Sequence, residues 1–312
     1  MLISAYVNGA TVGSPPPPRD HSQDAKRGEV NGWTAGSVRR HTKWLYSIST
    51  ADLTGEAVAF TFTVRSLPPG PEDWKRVRER FWKRVRDAGM LRRGHWLTEW
   101  QRRMCPHLHG IVYLPDDWEP PEPWAKFGRL RAAELMLLRF WLESADEFEP
   151  AMHSQSVALV DGVVGWLRYL SKHAARGVRH YQRWGSPETW TKTGRLWGYL
   201  GEWPVVEPQR FDMEPDAYFR FRRLARGRRI ADARAALVAS ARYSGPEGQK
   251  RRSVALARLI HARGMLRCSD RRLSPVRGLS DWMPEDVTLT LLGLLVSEGY
   301  EIVERVEVVD HG

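Results

Sequence analysis

The chain has 312 residues, a length that suits one large domain or two ordinary ones. Its two cysteines cannot build a disulfide framework, no apolar run is long enough to span a membrane, and no signal peptide is recognisable, so we expect a protein of a reducing cytoplasm. The net charge of +11 and the 15 tryptophans favour a nucleic-acid partner, because arginine binds phosphate and tryptophan stacks on bases. A GC-rich genome and a tryptophan-filled core would give the same composition, so the motifs must decide.

The N-terminal part of the chain is predicted to be an arm without regular structure. Residues 1–36 contain a proline run at 15–18 followed by polar residues without periodicity, which is typical of disorder. A basic stretch with Arg39 and Arg40 comes next, and it leads into residues 44–49, whose pattern favours a strand.

A strand and a helix follow. Residues 58–64 alternate and are rich in β-formers, which predicts a strand. Residues 72–88 predict a helix that ends at Gly89, since glycine is common just after a helix. One face of this helix is basic, and residues at helical spacing form the apolar face: Trp74, Val77, Phe81, Val85 and Ala88.

Two further strands are predicted at 94–101 and 106–114, and the short polar link between them favours a hairpin. The second strand carries His107 and His109. Side chains two residues apart on a strand point to the same face, so both imidazoles should project from one side of a sheet. This geometry suits two ligands of one metal ion.

The link between these strands decides which residue lies opposite His107. If residues 102–104 form a three-residue link, Glu99 lies opposite His107. A two-residue link would instead place Trp100 opposite His107. The sequence leaves both registers open. In the first register, Glu99, His107 and His109 form a set of two imidazoles and one carboxylate. Such a set suits Mg²⁺ or Mn²⁺, with positions left for phosphate oxygens and water.

Three more elements are predicted before the composition changes. They are a helix at 128–144, a short strand at 156–160 and a helix at 162–176. On the last helix, Tyr169 and Lys172 are three residues apart and therefore share a face. A tyrosine hydroxyl beside a divalent metal can attack a phosphodiester, and a lysine can stabilise the phosphate charge.

The composition shifts near Pro208. Residues 211–240 and 250–263 predict strongly basic helices, and an apolar helix at 287–297 and a strand at 301–308 follow. The last third either binds DNA or presents a solvated basic surface. The predicted organisation is an arm (1–36), a central domain (37–207) and a basic, mostly helical C-terminal region (208–312). Because strands and helices interleave and one hairpin is tight, we expect an α+β fold with a mainly antiparallel sheet flanked by helices.

Three segments together resemble the HUH endonucleases. Residues 106–109 (Pro-His-Leu-His) resemble the His-hydrophobic-His motif of that superfamily. Residues 169–172 (Tyr-Leu-Ser-Lys) match the Tyr-x-x-Lys motif of its rolling-circle replication initiators, and residues 60–63 resemble the first, strand-borne motif. Order and spacing agree over about residues 44–203, and residues 99–110 are similar to initiators of plasmids and single-stranded DNA phages.

The resemblance implies a five-stranded antiparallel sheet and site-specific nicking and joining of single-stranded DNA with Mg²⁺ or Mn²⁺. It implies that His107 and His109 bind the metal with Glu99 as third ligand, and that Tyr169 forms a covalent 5′-phosphotyrosine with Lys172 as its partner. The domain at 37–207 would then be the nicking domain.

The partners implied are single-stranded DNA at a replication origin and the helicase and polymerase of a bacterial host, with no membrane partner. A helicase within this chain is not implied, because the Gly-x-x-x-x-Gly-Lys-Ser/Thr run is absent from the sequence. The oligomeric state is left open. Further candidates for DNA contacts are Trp166, Arg168, Arg39 and Arg40.

The chain departs from initiators that use two tyrosines, because His173 stands four residues after Tyr169. A single-tyrosine mechanism is implied unless Tyr181 takes the second role. A water molecule, a second subunit or Tyr181 could supply the second cleavage, which ends a replication round. Two alternatives stay open: a single-tyrosine relaxase or transposase of the same superfamily, and a non-catalytic protein that binds single-stranded DNA through tryptophan stacking and arginine contacts. Relaxases place their nucleophile before the histidine motif, where Tyr6 has no predicted helix to support it.

Overall fold

The computed structural model describes residues 1–13, 30–160, 180–264 and 279–305. The chain divides into two compact units: a terminal unit, Met1–Asp20 with Val206–Gly312, and a central unit, His21–Val205. None of the helices in the described ranges is both long and apolar enough to cross a membrane.

The described residues form ten strands and six α-helices. The strands are β1 (Leu2–Tyr6), β2 (Gly9–Gly13), β3 (Ala57–Thr63), β4 (Arg93–Trp100), β5 (Pro106–Tyr113), β6 (Ser156–Leu159), β7 (Trp197–Gly201), β8 (Gln209–Met213), β9 (Leu279–Asp281) and β10 (Ile302–Glu304). The helices are α1 (Ala35–Ser47), α2 (Pro71–Asp87), α3 (Arg129–Ser144), α4 (Pro215–Ser240), α5 (Gly245–Gly264) and α6 (Glu285–Ser297).

The central unit is built on a five-stranded sheet in the order β6-β3-β5-β4-β7, and every neighbouring pair is antiparallel. This confirms the prediction of an α+β fold with a mainly antiparallel sheet flanked by helices. The elements predicted up to residue 160 are present with their ends within one residue, apart from the strand at 44–49: strands 58–64, 94–101, 106–114 and 156–160, and helices 72–88 and 128–144.

One face of the central sheet packs against α2 and α3 through aromatic side chains. Phe62 stacks on Trp141 of α3 with ring centroids 5.0 Å apart, and Phe60 meets Phe81 of α2 edge-on at 5.2 Å. All four side chains are buried. Aromatic pairs of this kind contribute about 0.5–1.5 kcal/mol each beyond the area they bury. The apolar core therefore lies on this face, and the opposite face carries the two histidines.

The apolar face predicted for α2 is buried at Trp74, Val77, Phe81 and Val85. Gly89 follows this helix with a φ of +67°, the left-handed conformation that glycine adopts most readily. The prediction that Gly89 ends the helix is thus confirmed.

Residues 44–49, predicted as a strand, belong largely to α1, so that prediction is wrong. Thr34 caps this helix, since its hydroxyl accepts a hydrogen bond from Ser37 N at 3.0 Å. The buried side chains of the helix include His41 and Leu45, four residues apart. Burial at this helical spacing outweighs the β propensity of the residues at the end of the segment.

The prediction of a disordered arm over residues 1–36 is wrong for residues 1–13. There β1 and β2 form a hairpin with Ile3 opposite Val12, and Tyr6 pairs with Gly9 across a two-residue turn. The prediction of a disordered arm applied the composition of the proline run to the whole N-terminal segment. The five-residue strands β1 and β2, with an Asn-Gly pair at residues 8 and 9, are nevertheless compatible with a hairpin. Residues 14–29, which include the proline run, lie outside the described residues.

The terminal unit contains a second antiparallel sheet, in the order β10-β8-β1-β2-β9. Region 208–312, predicted to be mostly helical, therefore contributes three strands as well as α4, α5 and α6. The basic helix predicted from residue 211 begins at Pro215, because β8 occupies Gln209–Met213. Helices α4 and α6 share an apolar core with this sheet, formed by Ile3, Val12, Tyr218, Phe221, Leu291 and Leu295 among others.

Replacing Gly110 with alanine should destabilise the central unit. A Cβ at Gly110 would lie 2.2 Å from Cζ of Phe60 and 2.8 Å from the carbonyl oxygen of His95. The ring belongs to the buried aromatic core and the carbonyl to the neighbouring strand, so neither can withdraw freely. We expect Gly110→Ala to lower the free energy of unfolding by about 1–3 kcal/mol.

Urea denaturation followed by tryptophan fluorescence measures this change, because every tryptophan except Trp282 belongs to the central unit. Gly36→Ala is the matched control in the same unit, since the nearest atom to a Cβ at Gly36 is the side-chain atom Arg40 Nη1 at 3.4 Å. Equal transitions for the two variants would contradict the prediction.

Candidate functional site

The β4–β5 hairpin fixes which side chains face each other. Glu99 pairs with His107, and Trp100 pairs with Pro106. This is the register expected from a three-residue link, and the alternative with Trp100 opposite His107 does not occur. His109 lies two residues further along β5, on the same face as His107. The hairpin therefore brings one carboxylate and two imidazoles to one face of the sheet.

The two imidazole rings are stacked and held from the neighbouring strand. The ring centroids of His107 and His109 are 4.5 Å apart, with an interplanar angle of 26°. On β3, Thr61 pairs with His109 and Thr63 with His107. Thr61 Oγ1 and His109 Nδ1 share a hydrogen bond at 3.1 Å, and His109 Nε2 lies 3.7 Å from Glu99 Oε2. The threonine therefore orients the ring so that its other nitrogen faces the carboxylate.

The other carboxylate oxygen of Glu99 is held by a buried arginine. Arg183 Nε donates a hydrogen bond to Glu99 Oε1 at 2.9 Å, and both side chains are fully buried. The Arg183 guanidinium carbon also lies 4.2 Å from the centre of the Trp33 ring. The adjoining main chain is fixed to β4, because Trp100 N donates to Gln182 O at 2.8 Å. A buried carboxylate requires such a charged, hydrogen-bonding partner.

These donors match a hard divalent cation by type, since two imidazole nitrogens and a carboxylate oxygen share one face. Their present arrangement is not a finished metal site: among the residues that the structure describes, no group of three or more His, Cys, Asp or Glu side chains is arranged to hold an ion. The Glu99 carboxylate is shared between Arg183, which binds Oε1, and His109, which faces Oε2. Its Oε2 is the oxygen that faces His109 and could act as a ligand.

A cavity of about 460 Å³ opens beside this cluster. Its lining includes Thr63, which lies directly across from His107, and the basic side chains Arg65, Arg103 and His153. Arg103 donates a hydrogen bond to the main-chain carbonyl of Arg65, which ties the hairpin link to the end of β3. The described lining contains no acidic side chain, so the cavity is suited to a phosphate group.

Four predicted site residues, and the helix predicted at 162–176, lie outside the described residues. The four are Tyr169, Lys172, Trp166 and Arg168. Their placement relative to the histidines therefore stays a prediction.

The other candidates lie in the described part of the chain. Arg39 and Arg40 are exposed on α1, and Arg40 lines a second cavity, of about 600 Å³. Arg39 lines neither of the two cavities. Tyr181 is about half exposed, and the guanidinium of Arg102, in the hairpin link, lies 5.6 Å from the centre of its ring. Tyr181 thus lies near the end of β4, two residues before Arg183.

The sequence did not identify two residues that contribute to the site, Thr61 and Arg183. Thr61 lies in the strand-borne motif at 60–63, yet that pattern alone did not single out its hydroxyl. Arg183 comes from a segment without periodicity and is one of many arginines, and its burial depends on contacts with Glu99 and Trp33 that lie far away in sequence. The sequence feature that could have indicated a buried arginine is Glu99, because a carboxylate on a buried strand needs a cationic partner.

Comparison with known proteins gives close relatives among replication proteins. The chain is 38% identical over 310 residues to a protein of Xylella fastidiosa strain 9a5c that is named as a replication protein, covering 96% of this chain and 98% of the relative. It is 39% identical over 280 residues to a replication-associated protein of Pseudomonas phage Pf3, covering 88% of this chain and 89% of the phage protein.

A protein of Xylella fastidiosa strain Temecula1, also named as a replication protein, is 38% identical over 290 residues, with 90% of this chain and 98% of the relative covered. No family model and no solved structure matches the chain.

Removing Arg183 should destabilise the central unit, because Glu99 would remain buried without its counter-charge. We expect Arg183→Met to cost about 3–5 kcal/mol of unfolding free energy. Adding Glu99→Gln to this variant should recover much of the loss, since the buried charge is then gone. Urea denaturation of both single variants and the double variant measures the coupling energy of the pair. Simple additivity of the two losses would show that the side chains do not depend on each other.

Proposed function

The chain belongs to the family of replication proteins that includes those of Xylella fastidiosa and phage Pf3, and we propose that it initiates rolling-circle replication by nicking and rejoining single-stranded origin DNA. The observation that carries this proposal is the cluster of His107, His109 and Glu99 on one face of the central sheet. In a replication protein, this donor set supports a metal-assisted reaction at a phosphodiester.

The proposed reaction is an exchange of one phosphodiester for another. The Tyr169 hydroxyl oxygen attacks the scissile phosphorus, a new phosphorus–oxygen bond forms, and the bond to the 3′ oxygen of the leaving strand breaks. The Tyr169 hydroxyl loses its proton and the leaving oxygen gains one to become a 3′ hydroxyl, so protons balance, while the 5′ phosphate stays on Tyr169. The reverse attack by a 3′ hydroxyl rejoins the strand without an external energy source. Lys172 stabilises the phosphate charge as it develops.

We assign the metal to His107 and His109, with Glu99 Oε2 as the third ligand. A bound Mg²⁺ or Mn²⁺ supplies positive charge that polarises the phosphate. Thr61 orients His109 through its hydrogen bond, and Arg183 holds Glu99 through Oε1 so that Oε2 remains directed at His109. Such supporting contacts set the orientation of ligands in metal sites.

The basic cavity beside His107 is the proposed approach for the scissile phosphate. Arg65, Arg103 and His153 line it, and its described lining lacks carboxylates that would repel the DNA backbone. Tyr181 is the proposed acceptor in the second strand transfer that ends a replication round, because it is exposed and lies near the hairpin link. Helicase and polymerase activities would come from the host.

The nucleophile assignment predicts a covalent protein–DNA adduct. The full chain, incubated with Mn²⁺ and single-stranded oligonucleotides tiled across the DNA that neighbours its gene, should give a slower band on a denaturing gel. Tyr169→Phe should abolish this band, because phenylalanine has no oxygen to attack phosphorus. Tyr181→Phe should retain it, since the first cleavage does not use Tyr181. Identical bands for the wild type and Tyr169→Phe would refute the assignment.

The metal assignment predicts a separation of binding from cleavage. Replacing both His107 and His109 with alanine should remove cleavage and the decrease in the free Mn²⁺ electron paramagnetic resonance signal that binding to the protein causes, but should largely spare binding to single-stranded DNA. His261→Ala is the control, because His261 is exposed on α5 in the terminal unit. Cleavage that persists in the double variant would rule out metal binding by this pair as the basis of the reaction.

A further inference from the structure

Four rings lie nearly parallel on the face of the central sheet that carries the histidine pair, at its β7 edge. His41 of α1 and His95 of β4 are buried, with their Nε2 atoms 3.0 Å apart and an interplanar angle of 3°. Trp44 stacks on His95 with centroids 4.9 Å apart, and Tyr199 of β7 stacks on Trp44 at 4.8 Å and 5°. We call this series of rings the aromatic stack.

Tyr199 is the exposed end of the aromatic stack. Its side chain is 51% exposed, whereas His41 and His95 at the other end are fully buried. Trp44 supports one face of the Tyr199 ring, so the ring is held in a fixed orientation although half of it faces solvent. A fixed, partly exposed aromatic ring is a ready stacking surface for a further flat ring.

The cavity of about 600 Å³ noted above adjoins this ring. Its lining includes Tyr199 and three cationic side chains, Arg40 of α1, Lys192 and Arg195. The described lining contains no carboxylate, so the side chains that line the cavity carry a net positive charge.

The cavity lies on the same face of the sheet as the histidine cluster. Tyr199 pairs with His95 on β4, and Glu99 lies four residues further along that strand with its side chain on the same face. The spacing along an extended strand is about 3.3 Å per residue, so the two sites are separated by ~13 Å along β4. This distance is short enough for one single strand of DNA to occupy both.

We propose that this cavity binds single-stranded DNA next to the nicking site, with one base stacked on Tyr199 and the adjoining phosphates held by Arg40 and Arg195. The proposal rests on the proposed function for the identity of the nucleic acid. Charge and ring chemistry together favour this ligand: Arg40 and Arg195 attract an anion, and the exposed ring of Tyr199 offers a surface on which a flat ring can stack. A nucleotide chain supplies both at short intervals, and a single strand leaves its bases accessible for stacking.

Fluorescence anisotropy with a fluorescein-labelled oligothymidylate tests the proposal on the full chain carrying Tyr169→Phe, which forms no covalent product under the proposed chemistry. Tyr199→Ala should weaken binding about five- to hundredfold, the value of one stacked base. Tyr199→Phe keeps the ring and should bind like the parent. Arg40→Ala with Arg195→Ala should lower the slope of log affinity against log salt concentration by about 1.4, since each phosphate contact with single-stranded DNA contributes about 0.7.

Arg131→Ala with Arg139→Ala is the matched control. It removes two exposed arginines from α3, where each pairs with a glutamate of the same helix, so total charge falls equally. Equal salt slopes for the two double variants would overturn the proposal. Full competition by thymidine monophosphate at the same nucleotide concentration would also overturn it, because this result would indicate a pocket for a mononucleotide. A loss of affinity confined to duplex DNA would overturn it as well.

The experiment separates this inference from the proposed function. If the wild type forms no adduct but the Tyr199 and arginine variants still lose affinity for the oligothymidylate, the nicking proposal fails and the DNA-binding cavity stands. If the adduct forms and the variants bind like their controls, the cavity assignment fails and the nicking proposal stands.

Discussion

The antiparallel register of β4 and β5 is the constraint on which the candidate site depends. Side chains alternate along a strand, so a shift of one residue would turn Glu99 or the histidines to the opposite face. The apolar face enforces the observed register, because Leu108 and Gly110 alternate with the histidines on β5, and Gly110 leaves room for the Phe60 ring. The packing of the core on one face thus determines which polar groups meet on the other.

The buried pair of Glu99 and Arg183 links this register to the segment that follows residue 180. One carboxylate contacts the arginine through Oε1 and faces His109 through Oε2. A cation at the histidine pair would share the single negative charge of Glu99 with Arg183. The carboxylate would then neutralise only part of the local positive charge, and the remainder would be available to an anionic ligand.

The sequence predicted the elements that have a long, locally determined pattern. It did not predict the elements and side-chain roles that depend on contacts with distant segments. The alternation at 58–64, the amphipathic period at 72–88 and the polar link at 102–104 each carry their own signal, so β3, α2 and the β4–β5 hairpin were predicted, whereas the Glu99–His107 pairing was one of two registers that the sequence left open. Strands β1, β2 and β8 are only five residues long and are defined mainly by pairing with one another. The role of Arg183 likewise depends on Glu99 and Trp33, which no local pattern connects to it.

The position of β1 and β2 between β8 and β9 makes the central unit an insertion within the terminal unit. During translation the β1–β2 hairpin emerges before the central unit, while both of its sheet neighbours are encoded after the central unit. At about 5–20 residues per second, its two edges stay unpaired for on the order of tens of seconds. The central unit is complete before either neighbour emerges. The N-terminal hairpin therefore cannot join its sheet until the central unit has been synthesised.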